Sequence, residues 1–322
     1  MAEMTGTPLF VVGVGRSGTS LLQSMLASHP QIISLPETGF LRRRVWNRSW
    51  GTRRLSVDTW FSGDPRLQRI DPEKRRHIGI TLEGDVAAAD LYRAVREAYF
   101  PTDNFEAHRF LLDKDPRLIE YLPAVFSAFP RAQVVHILRD PRDVLLSKEK
   151  AEWSARRPWW LNFLVGLAQL DRMDRRLAPP EIWRVITVRY EDLITSPEPI
   201  LRQITAALDL DFDTGMLAFS DVARHLRGSD ESAWKENVTG PLLAENREKW
   251  RTAMSPFRLA VCDAMARRHL RRGGYTSAGS ALTGRRLSVW WIRVSAAVTV
   301  VALMPVLLVL RVLVDRSASR WR

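Results

Sequence analysis

The chain has 322 residues, enough for one large domain with appendages. Its only cysteine, Cys262, excludes an intrachain disulfide, and no Cys/His cluster has metal-ligand spacing. The net charge is +12, but half of the excess lies in residues 285–322, with seven Arg and one Asp, so nucleic acid is a poor explanation for the basicity.

In chain order, residues 9–13 form an apolar, β-branched run that predicts a buried parallel strand. Gly13, Gly15 and Gly18 follow, and Leu21, Leu22, Met25 and Leu26 recur at helical spacing, predicting a helix over 18–28. Strand, glycine loop and helix N-terminus aim backbone N–H groups and a positive dipole end at one spot, which suits an anion. Gly13 and Gly18 have the spacing of the nucleotide-triphosphate loop, but Thr19 stands where its lysine belongs, and the positive charge is at Arg16 inside the loop. A second strand is predicted over 31–34, with Glu37 just beyond it. The basic, Trp-rich run Arg42–Trp60 reads as a solvated helix face or an acceptor entrance, with Arg42–Arg76 as one expected acceptor wall. A helix over 87–99 leads to a strand over 110–113, with Lys114 at its end, and to a helix over 117–128.

A strand over 133–138 runs into the turn of Arg139, Pro141 and Arg142, with Asp143 expected as the cap of a helix over 143–153. Ser147 lies eight residues after Arg139, and an arginine and a hydroxyl converging on one phosphate make a charge-assisted site. Trp153–Trp160 is a second expected acceptor wall. Helices follow over 160–177, 197–208, 243–251 and 256–272, with a fifth strand over 184–188 that delivers Tyr190. Alternating strands and helices predict an α/β fold: a P-loop-like three-layer domain with a central parallel sheet, spanning 1–275.

Residues 276–286 read as a Ser/Gly/Ala-rich flexible linker. Val294–Leu310 carries no charge, and snorkelling arginines with Trp290 and Trp291 extend the stretch to 287–314, which predicts a membrane-anchor helix before a basic tail, 315–322. A helix lying in the interface and an oligomerisation helix are the other readings. The N-terminus enters a strand directly, leaving no room for a signal peptide and predicting a cytoplasmic catalytic domain.

Gly15-Arg-Ser-Gly-Thr-Ser-Leu-Leu22 and Arg139-Asp-Pro-Arg-Asp…Ser147 together resemble the sulfotransferases that use 3′-phosphoadenosine 5′-phosphosulfate (PAPS), most of all the tyrosylprotein and bacterial branch. The resemblance covers roughly residues 8–275, including Val188-Arg-Tyr-Glu-Asp-Leu193 and the Lys249-Trp250 neighbourhood. It implies sulfuryl transfer to an acceptor hydroxyl without a metal. It assigns Gly15, Arg16, Ser17, Gly18, Thr19 and Ser20 to the 5′-phosphosulfate and Arg139 with Ser147 to the 3′-phosphate. It puts Lys249 and Arg247 on a loop closing over the nucleotide, and Tyr190, just after the fifth strand, packs near the adenine or simply covers the sheet. Leu35-Pro-Glu-Thr38 places Glu37 as the catalytic base, and Leu112-Asp-Lys-Asp-Pro116 places Lys114 on the transferring sulfate, with Arg16 as a third catalytic residue.

Bland readings stand beside these. Glu37 pairs with Arg42 or Arg43, Lys114 pairs with Asp113 or Asp115, and His136 is a satisfied core residue. No histidine matches the base that cytosolic sulfotransferases use, His108 being the nearest candidate. The competing functions are a P-loop-type kinase or nucleotide-binding module using Arg16 in place of the lysine, and a non-catalytic membrane-tethered relative. The acceptor's identity, lipid, glycan or other, and the oligomeric state are not encoded in any readable motif.

Overall fold

The structure is a computed structural model that describes residues 6–37, 39, 41, 71–74, 76, 88–100, 108–176, 179–226, 242–278 and 286–319. Most of the expected acceptor wall Arg42–Arg76 and most of the linker, residues 279–285, lie outside the described residues.

The described residues hold five strands at the expected places: β1 (Thr7–Val12), β2 (Ile32–Ser34), β3 (Phe110–Lys114), β4 (Gln133–Leu138) and β5 (Val185–Arg189). They form one parallel sheet in the order β2-β3-β1-β4-β5. Both faces are covered, which is why these strands read as continuous apolar runs rather than alternating ones. On one face Leu9, Val11, Phe110, Leu112, Val135 and Ile137 pack against α1 (Thr19–Ala27) and against Leu193, Leu201 and Ile204, which follow β5. On the other, Phe10, Val12, Leu111 and Val134 pack against α2 (Ala88–Tyr99) and α3 (Leu122–Ala128). The expected layered arrangement is therefore present.

The chain leaves β1 towards one edge of the sheet and leaves β4 towards the other. The point where strand order reverses lies between these two, and the crevice at their carboxyl ends is the natural ligand position in an open parallel sheet. The two anion-cradle motifs are the segments that follow β1 and β4.

Several helices differ from the periodicity reading. The helix expected over 117–128 is a 3-10 turn (Pro116–Glu120) followed by α3, because Pro123 lacks the N–H that would continue it. The helix after β4 is α4 (Pro141–Glu149), which starts two residues earlier than expected. Its cap is Asp140, whose carboxylate accepts from Arg142 N (2.9 Å), and not Asp143. It ends where Ser154 Oγ takes the Lys148 carbonyl (2.6 Å), and a short α5 (Glu152–Ala155) follows. Then come α6 (Trp159–Arg176), α7 (Pro179–Ile182) and β5. A helix missed by pattern, α8 (Tyr190–Thr195), begins immediately after β5, ahead of α9 (Pro197–Ala207) and α10 (Ser220–His225). In place of a helix over 243–251 there is only α11 (Trp250–Ala253), preceded by Glu248 at φ 52°. The long α12 (Pro256–Arg272) and α13 (Arg286–Ser319) complete the described elements.

Thr276–Ala278, the head of the expected linker, is tied down. The Thr276 carbonyl accepts from Arg142 (2.9 Å), and Asp263 accepts from Ser277 Oγ (2.9 Å) and Ala278 N (2.5 Å). α13 packs along α6 and α12 through Leu303, Val306, Leu307 and Leu310.

Candidate functional site

The turn after β1 is built by backbone geometry. Arg16 adopts φ 79° and Gly18 φ 99°, both left-handed. Ser17 closes the turn on Val14, with N (2.9 Å) and Oγ (2.5 Å) donating to the same carbonyl. Successive left-handed and right-handed residues turn main-chain N–H groups to one side and make an anion-binding concavity. At Gly18 the need for glycine is double: the φ is positive, and a Cβ would collide with the ring of Tyr190. Tyr190 is buried, and its ring faces this turn from the start of α8.

The turn after β4 is built by side chains. Arg139 is buried and donates to the Arg16 carbonyl (3.1 Å), to the Asn246 carbonyl (2.9 Å) and to Asn246 Oδ1 (3.3 Å). Its guanidinium lies over the Tyr190 ring, 4.2 Å from the centroid. Among the described residues its buried Nε has no hydrogen-bond partner, so this donor is available to a ligand oxygen. Asn246 also donates to Tyr190 OH (2.7 Å). Arg142, next along, is fully buried and structural. It bonds Asp140 (2.7 Å) and Asp263 (2.8 Å) and lies 3.7 Å from the Trp250 ring centroid. Glu191 on α8 accepts from Asp140 N (3.0 Å) and Tyr275 OH (2.9 Å), and Asp143 accepts from Trp250 N (3.0 Å). Burial, then the nearby Asp140 carboxylate, pushes the Asp143 carboxyl up to about 6.

The two turns meet. Arg16 Nε donates to Ser147 Oγ on α4 (3.1 Å), while Arg139 grips the Arg16 carbonyl. Ser147 thus meets the arginine of the first turn, whereas Arg139 leans on Tyr190 and Asn246. Burial and then the Arg139 charge lower the pKa of Arg16.

Glu37 and Lys114 come together across the mouth. Lys114, at the end of β3 and buried, bonds the Glu37 carboxylate directly and Ser20 Oγ at 3.2 Å. The ion pair of Lys114 Nζ is with Glu37, and the Glu37 carboxylate remains partly exposed. Among the expected nucleotide contacts, Thr19 and Ser20 open α1, and Lys249 is exposed just before α11. Lys249 shares its surroundings with Arg139 and Lys150; burial, then those charges, lowers its pKa. Trp153 lies beside the loop, 3.7 Å from where a Cβ of Gly15 would be. His136 is a core residue: buried, 3.4 Å from Thr187 Oγ1, with burial pushing its pKa down to about 4. His108 precedes β3, at the end of the sheet opposite the two turns.

Sequence reasoning missed Asn246, Glu191 and the Asp140–Arg142–Asp263 ion cluster. Asn246 lies in a loop without periodicity, and the partners of Arg142 are far away in sequence. Only Glu191 offered a signal, since it lies within the matched segment Val188–Leu193 just after a predicted strand.

A family model described as "Sulfotransferase family" matches residues 8–214. An uncharacterized protein of Aquifex aeolicus is 25% identical over 76% of this chain, and the protein-tyrosine sulfotransferase of Drosophila melanogaster is 23% identical over 75%. The matches cover 30% and 46% of the lengths of those two relatives, so the chain spans less than half of each. Among solved structures, the sulfotransferase domain from the curacin biosynthetic pathway shares the fold, with a TM-score of 0.60 at 19% identity. That alignment covers 84% of this chain and 98% of the other.

Proposed function

The chain belongs to the sulfotransferase family, and we propose accordingly that it moves a sulfuryl group from PAPS to an acceptor hydroxyl. The observation that carries this reading is the convergence of the two turns at the sheet's switch point, where Arg16 bonds Ser147 and Arg139 bonds the Arg16 carbonyl. Three cations, Arg16, Arg139 and Lys114, stand within one crevice whose loops offer main-chain N–H groups. That is the donor set for a ligand with phosphate-like groups at both ends.

In this reading PAPS supplies the activated sulfuryl group. The turn 15–20 holds its 5′-phosphosulfate; Arg139 and Ser147 hold its 3′-phosphate. Tyr190 and Lys249 complete the nucleotide contacts. Glu37 takes the acceptor's hydroxyl proton as the new O–S bond forms and the S–O bond to the leaving phosphate breaks. Lys114 holds charge on the transferring sulfate; two of its three N–H groups already face Ser20 and Glu37, and one remains for a sulfate oxygen. No metal is needed for charge that arginine and lysine carry. A positioned base of this kind is worth about 10²–10⁴ in rate.

α13 is read as the membrane attachment: by length and composition Val294–Leu313 is apolar enough to cross a bilayer. Attachment keeps the site near a lipid, glycan or other membrane-proximal hydroxyl, with the catalytic domain on the cytoplasmic side, where the donor is made.

Calorimetric titration with adenosine 3′,5′-bisphosphate, ADP and ATP, with and without Mg²⁺, tests the reading. Metal-independent binding of the bisphosphate that is lost with ADP is the expected result; preference for ATP with Mg²⁺ overturns it in favour of the kinase. Glu37→Gln is expected to cut turnover by about 10²–10⁴ with bisphosphate affinity unchanged.

A further inference from the structure

α13 has two apolar faces, and they do different things. The inner face is docked on the domain. Ala296 and Leu307 are buried, and Leu303, Val306 and Leu310 pack against the cluster formed by α6 and α12. One turn beyond Leu307, Arg311 reaches Asp171 of α6 (2.6 Å), which is buried and also bonds His269 Nε2 of α12 (3.1 Å). Burial works against that carboxylate, but His269 and Arg311 outweigh it and hold its pKa down. The Asp171 carboxylate is buried although Arg311 is partly exposed, so the pair ties the helix along α6, and withdrawing the helix would take one partner from a buried carboxylate.

The outer face is bare. Val298, Val301, Leu308, Val309, Val312 and Leu313 are all exposed, adjacent or three to seven residues of helix apart, along one side. The hydroxyls nearby add no polarity outward: Ser295 donates to the Trp291 carbonyl (2.8 Å) and Thr299 to the Ser295 carbonyl (2.9 Å). A helix with one face on a domain and the other in water carries polar residues outward; this one does not. A contiguous exposed apolar stripe of this length marks an interaction surface.

Charge identifies the partner. Residues 285–322 carry seven Arg and one Asp, with arginines at both ends of the apolar stretch, and Trp291 stands exposed near the first end. Apolar stripe, arginine ends and an interfacial tryptophan complement an anionic lipid surface. Pro305 fits this placement. It has no N–H for the Val301 carbonyl, and both residues are exposed. At the headgroup–acyl boundary water reaches that carbonyl directly, whereas deeper in a bilayer it would depend on a neighbouring group.

We propose that α13 is an in-plane membrane-binding helix, which stays docked on α6 and α12 while its outer face sinks into the headgroup–acyl boundary of an anionic bilayer. This deepens the membrane part of the functional reading and is independent of the sulfuryl-transfer part. The domain then sits on the membrane in a fixed orientation rather than swinging on a tether.

The full chain, diluted out of detergent onto preformed vesicles, is to be floated with phosphatidylcholine alone and with phosphatidylcholine containing one third phosphatidylglycerol. Binding at least tenfold stronger to the anionic vesicles, weakened by high salt, is expected. So is release from cell membranes by alkaline carbonate. The exposed-face variant V301D/L308D is expected to lose vesicle binding while keeping the wild-type melting temperature and bisphosphate affinity. Carbonate-resistant protein that needs detergent for extraction would overturn the proposal in favour of a spanning helix. A dimer that ignores vesicles, and that V301D/L308D splits into monomers, would overturn it in favour of a second copy on the outer face. Loss of bisphosphate binding with intact vesicle binding would indict the functional reading alone.

Discussion

The two turns that converge on the crevice are made in opposite ways. The turn after β1 is shaped by its own main chain: two left-handed residues, and a serine that closes on its own loop. The turn after β4 is shaped from outside, by Asn246, Glu191, Asp263 and Thr276, which reach it across 51 to 134 positions of sequence. A local turn can be broken as a binding site while the fold survives. A turn held by buried ion pairs is also a hub of the fold, and breaking it costs stability first.

Arg142→Ala should show the largest effect. It leaves Asp140 and Asp263 without their shared guanidinium in a buried setting, with a loss of about 3–5 kcal/mol in chemical denaturation. Unchanged stability would mean that the second turn is as local as the first. Gly18→Ala should do the reverse. Strained φ and the Tyr190 ring misplace the first turn, and bisphosphate affinity should fall by about two orders of magnitude in calorimetry, with a smaller loss of stability. Asn246→Ala removes the partner of Tyr190 OH and one contact of Arg139, and should weaken bisphosphate binding about tenfold. Asp143→Asn should be the mildest. With its pKa raised to about 6, Asp143 binds a proton more readily in the folded chain than in the unfolded one. It therefore lowers stability as pH rises from about 4 to about 6, and not beyond. The amide should gain on the order of 1 kcal/mol at neutral pH and flatten that slope in melts taken at several pH values.

The same contrast explains what was legible in the sequence. All five strands stood out, because a strand covered on both faces is an unbroken apolar run. The first turn was legible because glycine spacing writes backbone geometry directly. Glu37 and Lys114 were named one by one from motif likeness, and the structure brings them into contact. What escaped was whatever depends on distant partners: the cap at Asp140 in place of Asp143, the role of Arg142 as strut, and Asn246 between Arg139 and Tyr190. Nothing local distinguishes a buried arginine that braces the fold from one that binds phosphate. α8 escaped for a different reason, since six residues are too few to display a helical period.

Tyr190 over Gly18 has a consequence for how the molecule comes into being. The glycine turn is synthesised well before the ring that backs it, which arrives only after β5. Closing so long a loop is slow, and contacts of high sequence separation form late in folding. A nascent chain halted before β5 would carry the complete glycine motif with no wall behind it. On the proposed reading, the wall behind the nucleotide turn is completed together with β5, so a ligand that binds the finished site favours fully folded molecules.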